Sequence, residues 1–113
     1  MYRHGLLRAK RKKAYLRAIA AEHSDLAPRA ARNLGSLLEM QEDYEGAAEA
    51  YRQAIASGHA EAAPNAAKDL GLLLEKQEDY DGAAEAWRQA MASEQTEVLV
   101  EAEAGLRRVE GKD

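Results

Sequence analysis

The sequence predicts an all-α protein in which about six antiparallel helices stack as a helical-repeat solenoid. Three observations predict this fold. Residues 27–62 align without a gap to residues 63–98, and 24 of the 36 positions are identical. Apolar residues in both copies recur at helical spacings of three and four. The chain has five Tyr, one Trp and no Phe but abundant Ala, so its core must depend on close helix–helix contacts.

Each copy predicts two helices, A and B. In the first copy, Pro28 suits the first turn of helix A, because a missing N–H costs nothing there. Ala and Leu residues spaced by three and four then give helix A one apolar face. Asp43 is a favourable N-cap for helix B, and Gly58 is a favourable terminator. The second copy repeats this pattern but has Glu94 in place of Gly58.

Partial units flank the two copies. Tyr15–Ala20 lies 36 residues before Tyr51–Ala56 of the first helix B and is identical to it at four of six positions, and Leu106 lies 36 residues after Leu70. The predicted organisation is a basic extension at 1–5, a half repeat with a B-type helix at 6–26, repeats at 27–62 and 63–98, and an A-type or capping helix at 96–110. Helices are expected near 6–22, 28–41, 44–57, 64–77, 80–93 and 96–110. Neither half unit shows an obvious polar cap. The first unit is incomplete, which is compatible with a fragment of a longer repeat protein.

Ten residues keep the relative spacing of the tetratricopeptide repeat family, and the chain resembles that family over about residues 6–110. They are Leu34, Gly35, Ala47, Tyr51 and Ala54, and then Leu70, Gly71, Ala83, Trp87 and Ala90. The resemblance implies a right-handed α-α superhelix in which these ten residues pack the repeats together. The period of 36 residues departs from the usual 34. Glu42 and Glu78 stand where the family has glycine. Sel1-like repeats are a near relative, but their glycine-rich inserted loop is absent here.

The sequence offers no catalytic, metal or cofactor set. It has no Cys, which excludes disulfides, thiolate metal sites and Cys nucleophiles. His23 and His59 occupy equivalent positions one repeat apart, and we interpret both as residues at helix ends. Paired acids such as Glu42 and Asp43 lack the oxygen spacing of a calcium loop. We therefore expect a protein that is not an enzyme and binds no cofactor. No apolar run approaches the roughly 20 residues that span a bilayer, and none follows the basic N-terminus as in a secretory signal, so we expect no membrane insertion and a cytoplasmic location.

The resemblance implies a partner-binding groove on the exposed face of helix A. The stacked cations Arg29, Arg32 and Lys68, with Asn65, are candidates for receiving a carboxylate or an acidic peptide. Ser36 and Asp69 stand where some family members carry the asparagines of a carboxylate clamp. The alternative is that these charges are solvated, or are paired with Glu39 and Glu75 within the helix or across repeats. The whole set carried over is Arg29, Arg32, Ser36, Glu39, Met40, Asn65, Lys68, Leu72, Glu75 and Lys76.

Three functions follow. The first is a scaffold for protein–protein interaction, which binds a partner segment of unknown identity in this groove. The second is self-assembly into a homo-oligomer through the incomplete terminal units. The third is binding of nucleic acid or an anionic surface through the N-terminus, since residues 1–17 carry seven basic and no acidic side chains. This third function ranks below the others, because the remaining residues carry a net charge of −11 and would repel a polyanion.

Overall fold

In the part of the chain that the structure describes, the protein is a stack of six helices joined by short turns. The computed structural model describes residues 2–21 and 23–112, with side chains from Gly5 onward. Each helix packs on its neighbour in the chain, and α4 also contacts α2 and α6. The prediction of an all-α helical-repeat fold is thereby confirmed. The helices are α1 (Tyr2–Ala20), α2 (Leu26–Met40), α3 (Tyr44–Ala56), α4 (Ala62–Lys76), α5 (Tyr80–Ala90) and α6 (Thr96–Glu110).

Several helix boundaries differ from the predicted ones. Helix α1 begins at Tyr2 and not near residue 6, so residues 2–5 form its first turn. Helices α2 and α4 each begin two residues before the predicted start, because a histidine caps them. The Nδ1 atom of His23 accepts hydrogen bonds from the backbone N–H groups of Asp25 and Leu26 at 3.2 and 3.1 Å. This side chain satisfies donors that the first helical turn leaves free.

The second histidine caps α4 in the same way and also ties it to α2. His59 Nδ1 accepts from the backbone N–H groups of Glu61 and Ala62 at 3.3 and 3.0 Å. The ring proton therefore resides on Nε2, which donates to Asp25 Oδ1 at 2.8 Å. This hydrogen bond holds the pKa of the Asp25 carboxyl below its ordinary value. Both histidines are helix-end residues.

The turn between α2 and α3 is a Schellman motif. The Asp43 N–H donates to Leu38 O at 2.9 Å, and the Glu42 N–H donates to Glu39 O at 3.0 Å. Glu42 has a φ of 62° and Glu78 has a φ of 61° in the equivalent turn, so a glutamate occupies the left-handed conformation that glycine prefers. Asp43 then accepts from Gly46 N at 3.0 Å and thus caps α3, as predicted.

The core lies along the contact between the A-type helices α2, α4 and α6 and the B-type helices α3 and α5. Tyr51, Leu73 and Trp87 are its largest fully buried side chains, and alanines fill most of the space around them. A Cβ on Gly35 would lie 2.5 Å from the Tyr51 ring, and a Cβ on Gly71 would lie 2.7 Å from the Trp87 ring. Each helix A therefore needs glycine where the aromatic ring of its helix B rests. All ten packing residues carried over from the family pattern are buried.

Candidate interaction groove

Two adjoining depressions lie along the A-type helices, and together we call them the helix A groove. The first lies between α2 and α4 and has a volume of about 350 Å³. The second lies between α4 and α6, has a volume of about 410 Å³ and shares Leu72 and Lys76 with the first. The first is lined by Ser36, Glu39, Met40, Tyr51, Asp69, Leu72 and Lys76. The second is lined by Leu72, Glu75, Lys76, Glu101, Ala104 and Arg108.

Six of the ten groove residues expected from the sequence line these depressions. They are Ser36, Glu39, Met40, Leu72, Glu75 and Lys76. The other four, Arg29, Arg32, Asn65 and Lys68, lie outside both depressions. The set expected from the sequence did not include five residues that also line the depressions, which are Tyr51, Asp69, Glu101, Ala104 and Arg108. The aromatic spacing had identified Tyr51 only as a packing residue, and the α6 residues were missed because the groove was expected on the two complete repeats alone.

The two arginines expected to receive a carboxylate already contact carboxylates of the same chain. Arg32 Nε lies 2.7 Å from Asp69 Oδ2, in a partly buried pair. Arg29 lies 3.4 Å from Asp25 and 3.3 Å from Glu61. These pairs neutralise both arginines. They use Asp25, Glu61 and Asp69, whereas the sequence suggested Glu39 and Glu75 as the paired acids.

The other two residues expected to receive a carboxylate, Asn65 and Lys68, also do not form a common anion site with the arginines. Asn65 Nδ2 donates to Glu61 O at 2.8 Å and to Gln95 Oε1 at 3.4 Å. Lys68 is half-buried and forms no ion pair within residues 5–21 and 23–112. The four residues thus do not converge as an empty carboxylate receptor.

The buried aromatic residue of each helix B donates a hydrogen bond to a glutamate of its own helix A. Tyr51 Oη donates to Glu39 Oε1 at 2.9 Å, and Trp87 Nε1 donates to Glu75 Oε2 at 2.9 Å. Glu39 and Glu75 are equivalent positions one repeat apart. Burial is the main cause that raises the pKa of the Tyr51 hydroxyl above its ordinary value. Both glutamates therefore support the fold as well as bordering the groove.

A cation from the following A-type helix completes each of these contacts. Lys76 Nζ lies 3.6 Å from Glu39 Oε2, and Lys76 is 70% exposed. Arg108 binds Glu75 through Nε at 2.9 Å and through a terminal nitrogen at 3.0 Å, which is the stronger bidentate geometry. The pKa of the Glu75 carboxyl is lowered mainly by the hydrogen bond from Arg108. The hydrogen bond from Trp87 lowers it to a smaller extent.

The ends of the described stack carry charges where the repeats bury apolar residues. Three positions of α6 that correspond to Ala67, Gly71 and Leu74 are occupied by exposed side chains, which are Glu103, Arg107 and Glu110. In α1, Arg11 and Lys12 are exposed at the positions of buried Ala47 and Ala48. The expectation that neither terminal unit has an obvious polar cap was wrong, because both terminal helices expose these charged side chains. The charges become visible only when the terminal helices are aligned to the faces that pack in the full repeats.

The described residues contain no group of three or more His, Asp or Glu side chains positioned to hold a metal ion. Among the same residues, no helix has both the length and the apolar character needed to cross a membrane.

This geometry defines a helical-repeat protein whose A-type helices share one exposed groove. The family model described as tetratricopeptide repeat matches the chain twice, over residues 12–67 and 41–97. The two matches together span most of the sequence, and the chain belongs to the tetratricopeptide repeat family. No curated protein matches it. Repeats of this family are non-catalytic and generally mediate protein–protein interaction.

Proposed function

We propose that the protein is an interaction scaffold that binds a partner segment in the helix A groove through an apolar anchor. The observation that carries this proposal is the exposure of two apolar side chains at the first depression. Met40 is 62% exposed and Leu72 is 38% exposed, and the buried Tyr51 ring lies between their helices. Clustered apolar side chains that stay in contact with water favour a partner that covers them.

The charges around the depression support an apolar anchor over an acidic one. Glu39 is paired with Lys76, and Asp69 is paired with Arg32. An incoming carboxylate would have to break one of these pairs or lie beside Glu39 and Asp69, which would repel it. An aliphatic or aromatic side chain gains from burial without disturbing either pair. Burying one such side chain contributes roughly 1.5–3 kcal/mol.

The size of the groove limits the affinity. Each depression has the volume of a small ligand pocket and accommodates one or two side chains. Two anchors together contribute roughly 3–6 kcal/mol before the cost of association. We therefore expect a modest affinity for a single segment, with tighter binding only where several copies of the groove or of the segment act together.

Selection of binders from a displayed library of random peptides, with the folded protein as the target, tests the proposal. Selected peptides should share an apolar residue, and Leu72→Lys should weaken their binding at least tenfold. Met91→Lys is the matched control, because Met91 is also 38% exposed but lies outside the groove. Circular dichroism of both variants establishes that they fold. Peptides that bind Leu72→Lys as well as they bind the parent would overturn the proposed site.

Self-assembly by completion of the terminal repeats is less compatible with the geometry. A helix that docked on α6 as a helix B would bury Glu103, Arg107 and Glu110. A helix that docked on α1 as a helix A would bury Arg11 and Lys12. Unpaired charges are costly to bury, so these faces favour solvent or charged partners. Sedimentation of the protein over a wide concentration range measures whether it associates.

A further inference from the structure

The helix A groove changes in chemistry between α2 and α6. The helix A segments of the two repeats differ at five positions, and none of the five is buried in either copy. Within the groove, Met40 is replaced one repeat later by Lys76, and Leu72 is replaced by Arg108. The exposed apolar side chains of the groove therefore lie on α2 and α4, whereas α6 contributes two charged side chains and one alanine. A partner that crosses the groove meets different chemistry at its two ends.

The charged side chains that line the groove are paired, with one exception. Four acidic and two basic residues line the two depressions. Three ion pairs neutralise all but one of them, and these are Glu39 with Lys76, Asp69 with Arg32, and Glu75 with Arg108. The remaining residue is Glu101, which forms no ion pair within residues 5–21 and 23–112. The groove thus carries one negative charge that the described fold does not neutralise.

The position of Glu101 carries a different charge on each A-type helix. It is Arg29 in α2, which contacts two carboxylates, and Asn65 in α4, which donates two hydrogen bonds. Glu101 is exposed, and Arg108 on the same helix commits two of its nitrogens to another carboxylate. Exposed acids occur elsewhere on the surface, but Glu101 lines the same depression as the exposed Leu72. Its charge is therefore placed where a segment anchored at Leu72 passes.

We propose that the partner segment carries a lysine or arginine that contacts Glu101 while its apolar side chain is buried beside Leu72. This inference rests on the proposed function of the helix A groove and adds the chemistry of the partner. The two depressions lie on either side of α4, and packed helices are about 8–10 Å apart, so the depressions are separated by about that distance. An extended chain advances about 3.3–3.6 Å per residue. The basic residue of an extended partner therefore lies about three positions from the apolar one.

Charge complementarity selects a basic side chain over an acidic one at this position. A basic side chain binds Glu101 without breaking any of the three ion pairs of the groove lining. An acidic side chain would lie beside Glu101, which would repel it, and both cations of the lining are already paired. An uncharged side chain would leave Glu101 solvated and gain nothing from its charge. The partner is thus a segment that combines an apolar anchor with one nearby positive charge.

Selection from the displayed peptide library against two targets, the parent and Glu101→Lys, tests this inference. Peptides selected on the parent should carry Lys or Arg about three positions from the shared apolar residue. Peptides selected on Glu101→Lys should keep the apolar residue and carry Asp or Glu in place of the basic one. A substitution that merely distorted the groove would weaken the binding of both kinds of peptide, so it would not produce this exchange.

Fluorescence anisotropy with a labelled peptide selected on the parent measures the size of the effect. Glu101→Gln should weaken binding about two- to fivefold at low salt, because exposed ion pairs are weak, and the effect should shrink as salt is added. Glu103→Gln is the matched control, since it removes the same charge from an exposed position of α6 outside the groove. Lys68→Gln should bind at least as tightly as the parent, because it removes a positive charge from α4. Circular dichroism establishes that each variant is folded.

Four outcomes would overturn the inference. The first is a set of selected peptides that share an apolar residue but no basic one, which would leave the proposed function of the groove intact. The second is equal weakening by Glu101→Gln and Glu103→Gln, which would indicate a general charge effect. The third is selection of acidic peptides whose binding Lys68→Gln weakens. The fourth is sedimentation of the parent as an oligomer that Glu101→Lys dissociates, which would make a second copy the occupant. Selected peptides that share no apolar residue would overturn the proposed function as well.

Discussion

Gly105 of α6 lies against the indole ring of Trp87 so closely that a Cβ at this position would overlap the ring. The same ring rests on Gly71 from the other side, and a Cβ there would lie 2.7 Å from it. Trp87 is completely buried between the two glycines. The larger indole at this position, where the first repeat has tyrosine, thus requires glycine on two helices, and it ties α6 to the second repeat.

We predict that Gly105→Ala lowers the free energy of unfolding by about 1–3 kcal/mol, because the added methyl group overpacks a rigid site. Urea denaturation followed by circular dichroism measures this change. Gly111→Ala is the control, since a Cβ there meets nothing within 4 Å. Combining Gly105→Ala with Trp87→Tyr should recover part of the loss, because the smaller ring leaves space for the methyl group. A Gly105→Ala protein as stable as the parent would contradict the close packing.

Glycine should stabilise the protein at the two positions where a glutamate adopts the left-handed backbone conformation. Glu42→Gly and Glu78→Gly relieve the strain of a positive φ, and each should raise the free energy of unfolding by about 0.5–1 kcal/mol. The turns are separate, so the two gains should add. Glu45→Gly is the control within α3, where glycine should cost about 0.5–1 kcal/mol. Chemical denaturation of the three single variants and the double variant tests the whole set.

The pKa of Glu75 gives a pH-dependent contribution to stability. Its folded-state pKa lies below the ordinary value for a glutamate, mainly because of the Arg108 hydrogen bond. The unfolded chain therefore takes up a proton here at higher pH than the folded chain does. The contribution is complete above the unfolded-state pKa and is lost as pH falls through the lower folded-state pKa. Carbon-detected NMR titration of the Glu75 carboxyl should locate its midpoint below the ordinary range for glutamate.

The variant Arg108→Met should raise the midpoint of Glu75 and reduce the loss of stability in acid. Arg107→Met removes the same charge from the neighbouring position, which is exposed and forms no ion pair with the described residues. It should leave the Glu75 titration close to that of the parent. An equal shift in both variants would show that general charge, and not the bidentate contact, lowers the pKa.

A double-mutant cycle should separate the structural ion pairs from the exposed ones. Arg32→Gln and Asp69→Asn should show a coupling free energy of about 0.5–1 kcal/mol, because the pair is close and partly buried. The Glu39 and Lys76 pair should show less coupling, because its separation is 3.6 Å and Lys76 is 70% exposed. Thermal or urea unfolding of the four proteins in each cycle supplies the values. If the effects of Arg32→Gln and Asp69→Asn on the free energy of unfolding were additive, the ion pair would make no contribution to stability.

The candidate site could be predicted from the sequence only in part. The repeat register identified the exposed face of helix A, and six of its ten residues line the groove. The state of their charges could not be read from that register. Arg32 and Asp69 are 37 positions apart, one repeat plus one residue, so their 2.7 Å contact depends on how far neighbouring A-type helices are offset. The contact between Glu75 and Arg108, which are 33 positions apart, depends in the same way on how α4 and α6 are offset.

The sequence by itself determined the helices, the repeat and the family, because helix formation and the apolar face of a helix follow from local residue spacing. It also specified the Asp43 cap and the glycine on which Tyr51 rests. Only the tertiary structure decided which charges are neutralised, that His59 links α4 to α2, and that Trp87 lies between Gly71 and Gly105. These features depend on distances between residues from different repeats, and such distances are set by packing and not by spacing along the chain.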